Sequence, residues 1–239
     1  MTRVLKSLGL ALAAMAALVA MMAPAAQAET GALTAPLFPA IVTGNQQPGP
    51  TFDIGEGPLK QVGCGVSRLD STLLGPTDPV TFQPTYLNCI AEPGAMPVTI
   101  TLNGCDYSIG FTRPGTTGWP EGTGTMQASI NCPPEQQIEI HVYENAMRHA
   151  ENVSLCTYDI RPQGPVPAGV YHNRVGMPND VEATVQANFT AQSTIGPAAI
   201  CGGNAFNQHL PIRLTGTYTL RAFEDINGVE GAPIPLDVG

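Results

Sequence analysis

The sequence predicts an all-β fold of β-sandwich type, mostly antiparallel, built as one or two packed sandwich modules with little helix. Two observations carry that prediction. Apolar and polar residues alternate in segment after segment, the mark of a strand with one face in a core. The 26 glycines and 23 prolines also punctuate the 239 residues so closely that only residues 144–151 (ENAMRHAE) hold a run of helix formers free of breakers, room for one or two turns. α/β folds need long helical crossovers between parallel strands, and this chain has no space for them.

Residues 1–28 read as an export signal. Arg3 and Lys6 form a short positive segment, Leu8 to Met22 is apolar and uncharged, and Ala26-Gln27-Ala28 gives the small-x-small pattern of a cleavage site. The apolar stretch is shorter than the roughly 20 residues a bilayer requires, and no later segment is apolar enough to span. Removing 28 residues from 239 leaves 211, enough to bury a substantial core. Arg3 and Lys6 leave with the signal, so eight Lys and Arg face 19 Asp and Glu, a net charge of −11. None of the eight stands beside another. Phosphate backbones are held by clustered cations, so nucleic acid is excluded as a partner, and the acidity suits solubility outside the cell.

Next along the chain, Leu37-Phe38 and Ile41-Val42 sit among Pro and Gly, reading as an early edge strand followed by a loop. Val98, Ile100 and Leu102 alternate with Thr99 and Thr101. Cys105 to Phe111, Met126 to Ile130 and Ile138 to Val142 alternate likewise. The longest case is Val181 to Phe189, where a slip of one residue would turn five apolar side chains to water. Tyr218, Leu220 and Ala222 precede Asn227-Gly228, the dipeptide favoured in tight hairpin turns, with Ile234, Leu236 and Val238 beyond. Pro233 and Pro235 cannot donate to a ladder, which places the last strand at a sheet edge. The Cys132-Pro133-Pro134 break suggests a first β module over 29–134 and a second over 135–239, with a single large sandwich as the alternative.

Six cysteines follow the signal: Cys64, Cys89, Cys105, Cys132, Cys156 and Cys201. Six cysteines allow 15 connectivities that sequence alone does not choose among. Sequential pairing is the preferred expectation, because each of the first four lies in or beside a candidate strand. No C-x-x-C pair occurs, which removes the common structural zinc spacing and the thioredoxin-type redox motif.

The order of residues in FPAIVTGNQ, in TFDIG with its following Gly-Cys, and in VTFQPTYLNC, TITLNGCDYSIGF, INCPPEQQIEIHV, LCTYDIRPQ and GTYTLRAFEDINGVEGA resembles a group of exported, cysteine-containing β-rich proteins of soil actinobacteria. The resemblance covers most of the chain after the signal. It implies a shared bacterial fold and shared placement of Cys64, Cys89, Cys105 and Cys132, and it carries across no activity and no catalytic residue.

Candidate chemistry is sparse. His141, Glu144 and His149 are close in sequence and of types that suit a metal, but His141 falls on the polar face of a strand and His149 in a charged turn, so no metal is expected. G-x-S-x-G and H-E-x-x-H are both absent. The serines Ser67, Ser71, Ser108, Ser129, Ser154 and Ser193 lack an elbow motif, which leaves open only a triad assembled in space. Nineteen acidic residues always permit some carboxylate pair, and a glycosidase groove usually wants several aromatic platforms where this chain has one tryptophan. That residue, Trp119, lies in a Gly- and Pro-rich loop (RPGTTGWPEG) from which it can stack on a sugar, anchor a partner or fold back as a lid. Asp225 to Glu230 resembles a calcium loop but is too short.

These features favour a non-enzymatic secreted or cell-envelope β protein that binds a ligand or partner, such as a glycan or envelope component, through sandwich-end loops, with Trp119 as the candidate contact. An extracellular hydrolase acting on polysaccharide or peptide is the alternative. Catalytic residues are unassigned, and no cofactor is expected.

Overall fold

The computed structural model describes residues 29–49, 51–54, 59, 61–113, 122–175, 179–195, 198–201 and 209–239. Residues 1–28, read from the sequence as an export signal, and Trp119 lie outside the described residues. Strands β1 (Glu29–Gly31), β2 (Leu33–Thr34), β3 (Ala40–Gln46), β4 (Phe52–Asp53), β5 (Gln61–Leu73) and β6 (Val80–Glu92) come first. They are followed by β7 (Met96–Thr101), β8 (Asp106–Arg113), β9 (Thr123–Asn131) and β10 (Ile138–Val142). The short helix α1 (Ala146–Ala150) leads to β11 (Cys156–Ile160), β12 (Gln163–Arg174) and β13 (Asp180–Ile195). A second short helix, α2 (Ala198–Cys201), precedes β14 (His209–Asp225), β15 (Glu230–Ile234) and β16 (Asp237–Val238).

The all-β, antiparallel prediction holds, and the strands are joined edge to edge into closed circuits. From β13 the pairings run through β12, β9, β8, β6, β5, β3 and β14 and return to β13. A second circuit leaves β13 at its other end through β11, β10 and β7, and rejoins β6. Four long strands, β5, β6, β13 and β14, therefore serve both circuits. The set β8–β9–β12 completes the wall at one end and β7–β10–β11 completes it at the other. Closure pairs most of the strand edges that would otherwise invite pairing with other chains, leaving β1 and β15 at the ends of the path.

Between the two sets the wall has a seam. β6 pairs with β8 through Phe82 and meets β7 from Cys89, so among the described residues 83–88 have no strand partner on that side. Pro84 lies there, opposite Leu69 of β5, where its missing N–H breaks no ladder. On the facing strand, β13 leaves β12 after Val185 and meets β11 at Gln192. The Gln163 side chain fills part of that gap: Nε2 donates to the Thr190 carbonyl at 2.8 Å and Oε1 accepts from the Thr190 N–H at 2.7 Å. The links β7–β8, β9–β10 and β11–β12 all cross this seam.

The Pro133-Pro134 pair lies in one of those crossings. Strands on either side of residue 134 pair with one another, β9 with β12, β7 with β10 and β3 with β14, and one continuous cluster of buried side chains serves the described residues. The early strand β3 is not at an edge. β5 and β14 flank it on both sides, which is why Ala40, Val42, Thr43 and Gly44 are all buried. The last strands do end the path: among the described residues β15 pairs only with β14, after a turn in which Asn227 and Gly228 both take positive φ (58° and 82°), and β16 pairs with β2.

Disulfides join Cys64 to Cys89, Cys105 to Cys132 and Cys156 to Cys201. The first links residues directly opposite in the β5–β6 ladder. The second clasps two of the seam crossings, just beyond the Asp106–Asn131 pair that ends β8–β9. The third ties β11 to α2. Bonds of this kind typically add about 2 to 4 kcal/mol each, chiefly through the unfolded chain.

All six tyrosines are buried. Where β5, β6, β8 and β14 face one another, the Tyr86 hydroxyl donates to that of Tyr107 at 3.1 Å, and Ser67 Oγ and the Tyr218 hydroxyl share a 2.9 Å hydrogen bond. Gln46 Oε1 accepts from Tyr218 at 3.3 Å and from Thr51 Oγ1 at 3.1 Å. The Phe52 ring meets Tyr86 edge-on at 5.3 Å. Nearer the opposite end, the Tyr158 hydroxyl donates to the Cys201 carbonyl at 2.8 Å. Burial disfavours the charged phenolate, which raises Tyr86, Tyr107 and Tyr158 well above the ordinary tyrosine value and pushes Tyr218 up to about 12.

Candidate functional site

The strand register places three loops together at one end of the barrel. Ala40 pairs with both Leu73 and Glu224, so the segment before β3, the β5–β6 connection and the β14–β15 turn are neighbours there. Those loops carry Leu37, Phe38, Leu74, Ile226 and Val229 as exposed large apolar side chains, Leu74 at 82% and Val229 at 65%. Single exposed apolar residues are ordinary, but a concentration of them marks a surface that meets something.

Beside these tips the β14–β15 turn curls over the outer face of β3, β5 and β6, enclosing a groove of about 510 Å³. Alternation along β5 sends Arg68, Asp70 and Thr72 outward, and along β6 it sends Thr81 and Gln83 to the same face. The Arg68 guanidinium donates through Nε to Asp70 at 2.6 Å and through Nη2 to Glu230 at 2.5 Å. Asp70 first, and Glu230 with it, raises the guanidinium above its ordinary value against the opposing cost of burial. Asp225 completes the wall, its Oδ1 accepting from the Gly228 N–H at 2.6 Å. These ion pairs are more than a third exposed, a setting in which a pair is worth only about 0.2 to 1 kcal/mol, so stability alone does not account for the cluster. Chemically the groove offers one fixed guanidinium, three carboxylates, hydroxyls and an amide. That set matches a hydroxyl-rich ligand and repels an anionic one.

A second constellation occupies the outer face of β7–β10–β11. Glu139 and His141 are two residues apart on β10 and so share a face. His141 Nε2 stands 3.2 Å from Glu139 Oε2, and Nδ1 stands 3.2 Å from both Ser154 Oγ and Thr157 Oγ1. Thr157 is opposite His141 in the β10–β11 ladder, whereas Ser154 arrives from the loop after α1. The Leu155 N–H donates to the Val142 carbonyl at 2.8 Å, and the disulfide at Cys156 pins the same segment. Asn145 caps α1, its side chain accepting from the Arg148 N–H at 3.0 Å.

No family model, curated protein or solved structure matches the chain. Of the sequence candidates, Trp119 lies outside the described residues, although its flanks Arg113 and Gly122 are described. His141 and His149 are on one side of the molecule, but His149 Nε2 bonds Thr99 Oγ1 at 3.1 Å and its ring packs 4.7 Å from that of Tyr143. Among the described residues, no group of three or more His, Cys, Asp or Glu is placed to hold a metal ion. The Asp225–Glu230 segment is a hairpin turn whose two carboxylates are engaged by the Gly228 N–H and by Arg68. All six cysteines pair as expected, leaving none free.

Sequence reasoning passed over Arg68, Asp70 and Glu139, and met Glu230 only as the end of the segment likened to a calcium loop. The Glu139–His141 spacing was readable as a shared strand face. The Arg68–Glu230 contact joins residues 162 apart and has no local signal.

Proposed function

We propose that this is a secreted or cell-envelope protein whose barrel end binds a hydroxyl-rich partner, an envelope glycan, at the groove framed by Arg68, Asp70, Asp225 and Glu230. The observation that carries this reading is the position of that polar groove beside the exposed apolar tips of three converging loops. Three disulfides suit an oxidising compartment, and the apolar interior is filled by its own side chains, which leaves the end of the barrel as the contact surface.

Co-sedimentation with insoluble peptidoglycan, chitin and cellulose tests it. The protein is expected to be retained on at least one of these, and Arg68→Ala or the pair Leu74→Ser with Ile226→Ser should weaken retention at least tenfold without altering the disulfides. Trp119→Ala in the same assay scores the contact expected from sequence. Absence of retention on all three polymers, or retention unchanged in both variants, would remove the groove from consideration.

A further inference from the structure

We infer that Ser154, His141 and Glu139 form a nucleophilic centre that hydrolyses a carboxylic ester, on a face of the barrel separate from the groove. The pattern that identifies such a centre is a hydroxyl within hydrogen-bond reach of a base that a third group orients, and it is recognised by geometry and not by chain order. Here a carboxylate lies 3.2 Å from one ring nitrogen and a serine hydroxyl lies 3.2 Å from the other. A carboxylate only accepts, so the proton sits on Nε2 and is donated to Glu139 Oε2. That tautomer leaves the Nδ1 lone pair facing the hydroxyls.

Two hydroxyls compete for Nδ1, and burial separates them. Thr157 is buried beneath the loop, whereas Ser154 is partly exposed and the imidazole above it is 23% exposed. Ser154 is the hydroxyl that a substrate can reach, and Thr157 holds the ring in place. The supports are rigid: β10 carries base and carboxylate on one strand face, and the Cys156–Cys201 bond fixes the segment that brings Ser154 in. A plain surface hydrogen-bond cluster would need neither the carboxylate on the far nitrogen nor the covalent tether beside the serine.

In the first step Ser154 Oγ bonds to the ester carbonyl carbon as its proton passes to His141 Nδ1. The carbon–oxygen bond to the alcohol then breaks, and the departing oxygen takes that proton from Nδ1. Water repeats the sequence: its proton passes to Nδ1, its oxygen bonds to the acyl carbon, the bond to Oγ breaks, and Oγ recovers the proton. The sum is ester plus water to acid plus alcohol. Because the three groups lie partly exposed on the outer face of a strand, the substrate class is an ester displayed on a polymer or surface. General-base assistance of this kind contributes about 10² to 10⁴-fold.

Treatment of the folded, disulfide-intact protein with a fluorophosphonate, followed by intact-mass and peptide analysis, tests the centre. The expected result is a single adduct on Ser154, absent in Ser154→Ala and formed at least 100-fold more slowly in His141→Gln. Glu139→Gln, a change at a positioning residue, should lower kcat for p-nitrophenyl acetate with KM little changed. No adduct at Ser154 in the wild type, or labelling of His141→Gln at the wild-type rate, overturns the inference. Neither readout depends on polymer retention by the groove.

Discussion

Raising the pH from about 10 to 12 should unfold this protein cooperatively, with phenolate absorbance and loss of β-type circular dichroism appearing together. The cause is the set of buried tyrosines. A phenol is neutral when protonated, and burial at Tyr86, Tyr107, Tyr158 and Tyr218 raises each folded value above that of the unfolded chain, Tyr218 to about 12. Below pH 10 both states hold the proton and nothing is lost. Between 10 and the folded values only the folded state holds it, so stability falls by about 1.4 kcal/mol per pH unit for each group. Several such groups acting together are enough to exhaust the stability of a typical domain, about 5 to 15 kcal/mol. Charge on Tyr218 also raises Tyr86 and Tyr107, so the folded core resists ionising these neighbours together. A gradual titration centred near pH 10 with unchanged circular dichroism would show that these hydroxyls are open to solvent.

Gly169→Ala should be the most damaging single methyl addition, costing about 4 kcal/mol or more, equivalent to a drop in Tm of about 10 °C or more for a chain of this size. Gly169 stands where β12 pairs with both β9 and β13, opposite Met126 and Val185, next to a register shift after Pro167. Its φ is +103°, and a Cβ there would meet the Thr184 carbonyl oxygen at 2.1 Å and the Gln186 amide nitrogen at 3.2 Å. Both are backbone atoms of a central strand and cannot swing aside. Gly228→Ala is the comparison: φ is +82° but nothing lies within 4 Å of the added carbon, so only the conformational cost of about 1 kcal/mol applies. Thermal denaturation of the two variants side by side checks this. Equal destabilisation would mean that the β12–β13 contact is looser than described.

Much of the strand pattern was legible because water on one face and core on the other impose alternation. Ile138 to Val142, Val181 to Phe189 and Tyr218 to Ala222 all lie within strands, and Asn227-Gly228 makes the expected turn. What stayed hidden were strands that tolerate breakers for tertiary reasons. β12 carries Pro165 and Pro167 at its register shifts, and β6 carries Pro84 at the seam, so local propensity argued against both. The N-terminal half of β14 was obscured in the same way by Pro211, which pairs with Thr190. The interior position of β3 could not be read either, because its neighbour β14 is supplied from the far end of the sequence. The candidate sites share that difficulty: spacing on one strand links Glu139 to His141, but only the folded loop after α1 delivers Ser154.

The lateness of β14 has a further consequence for how the molecule can come into being. Its berth between β3 and β13 stays empty until residues 209–225 are available, so a partly emerged polypeptide has no way to lock shut. A chain wired in this manner remains a pliable thread until its tail is available and becomes a rigid body only then, at the slow pace that such distant partnerships dictate.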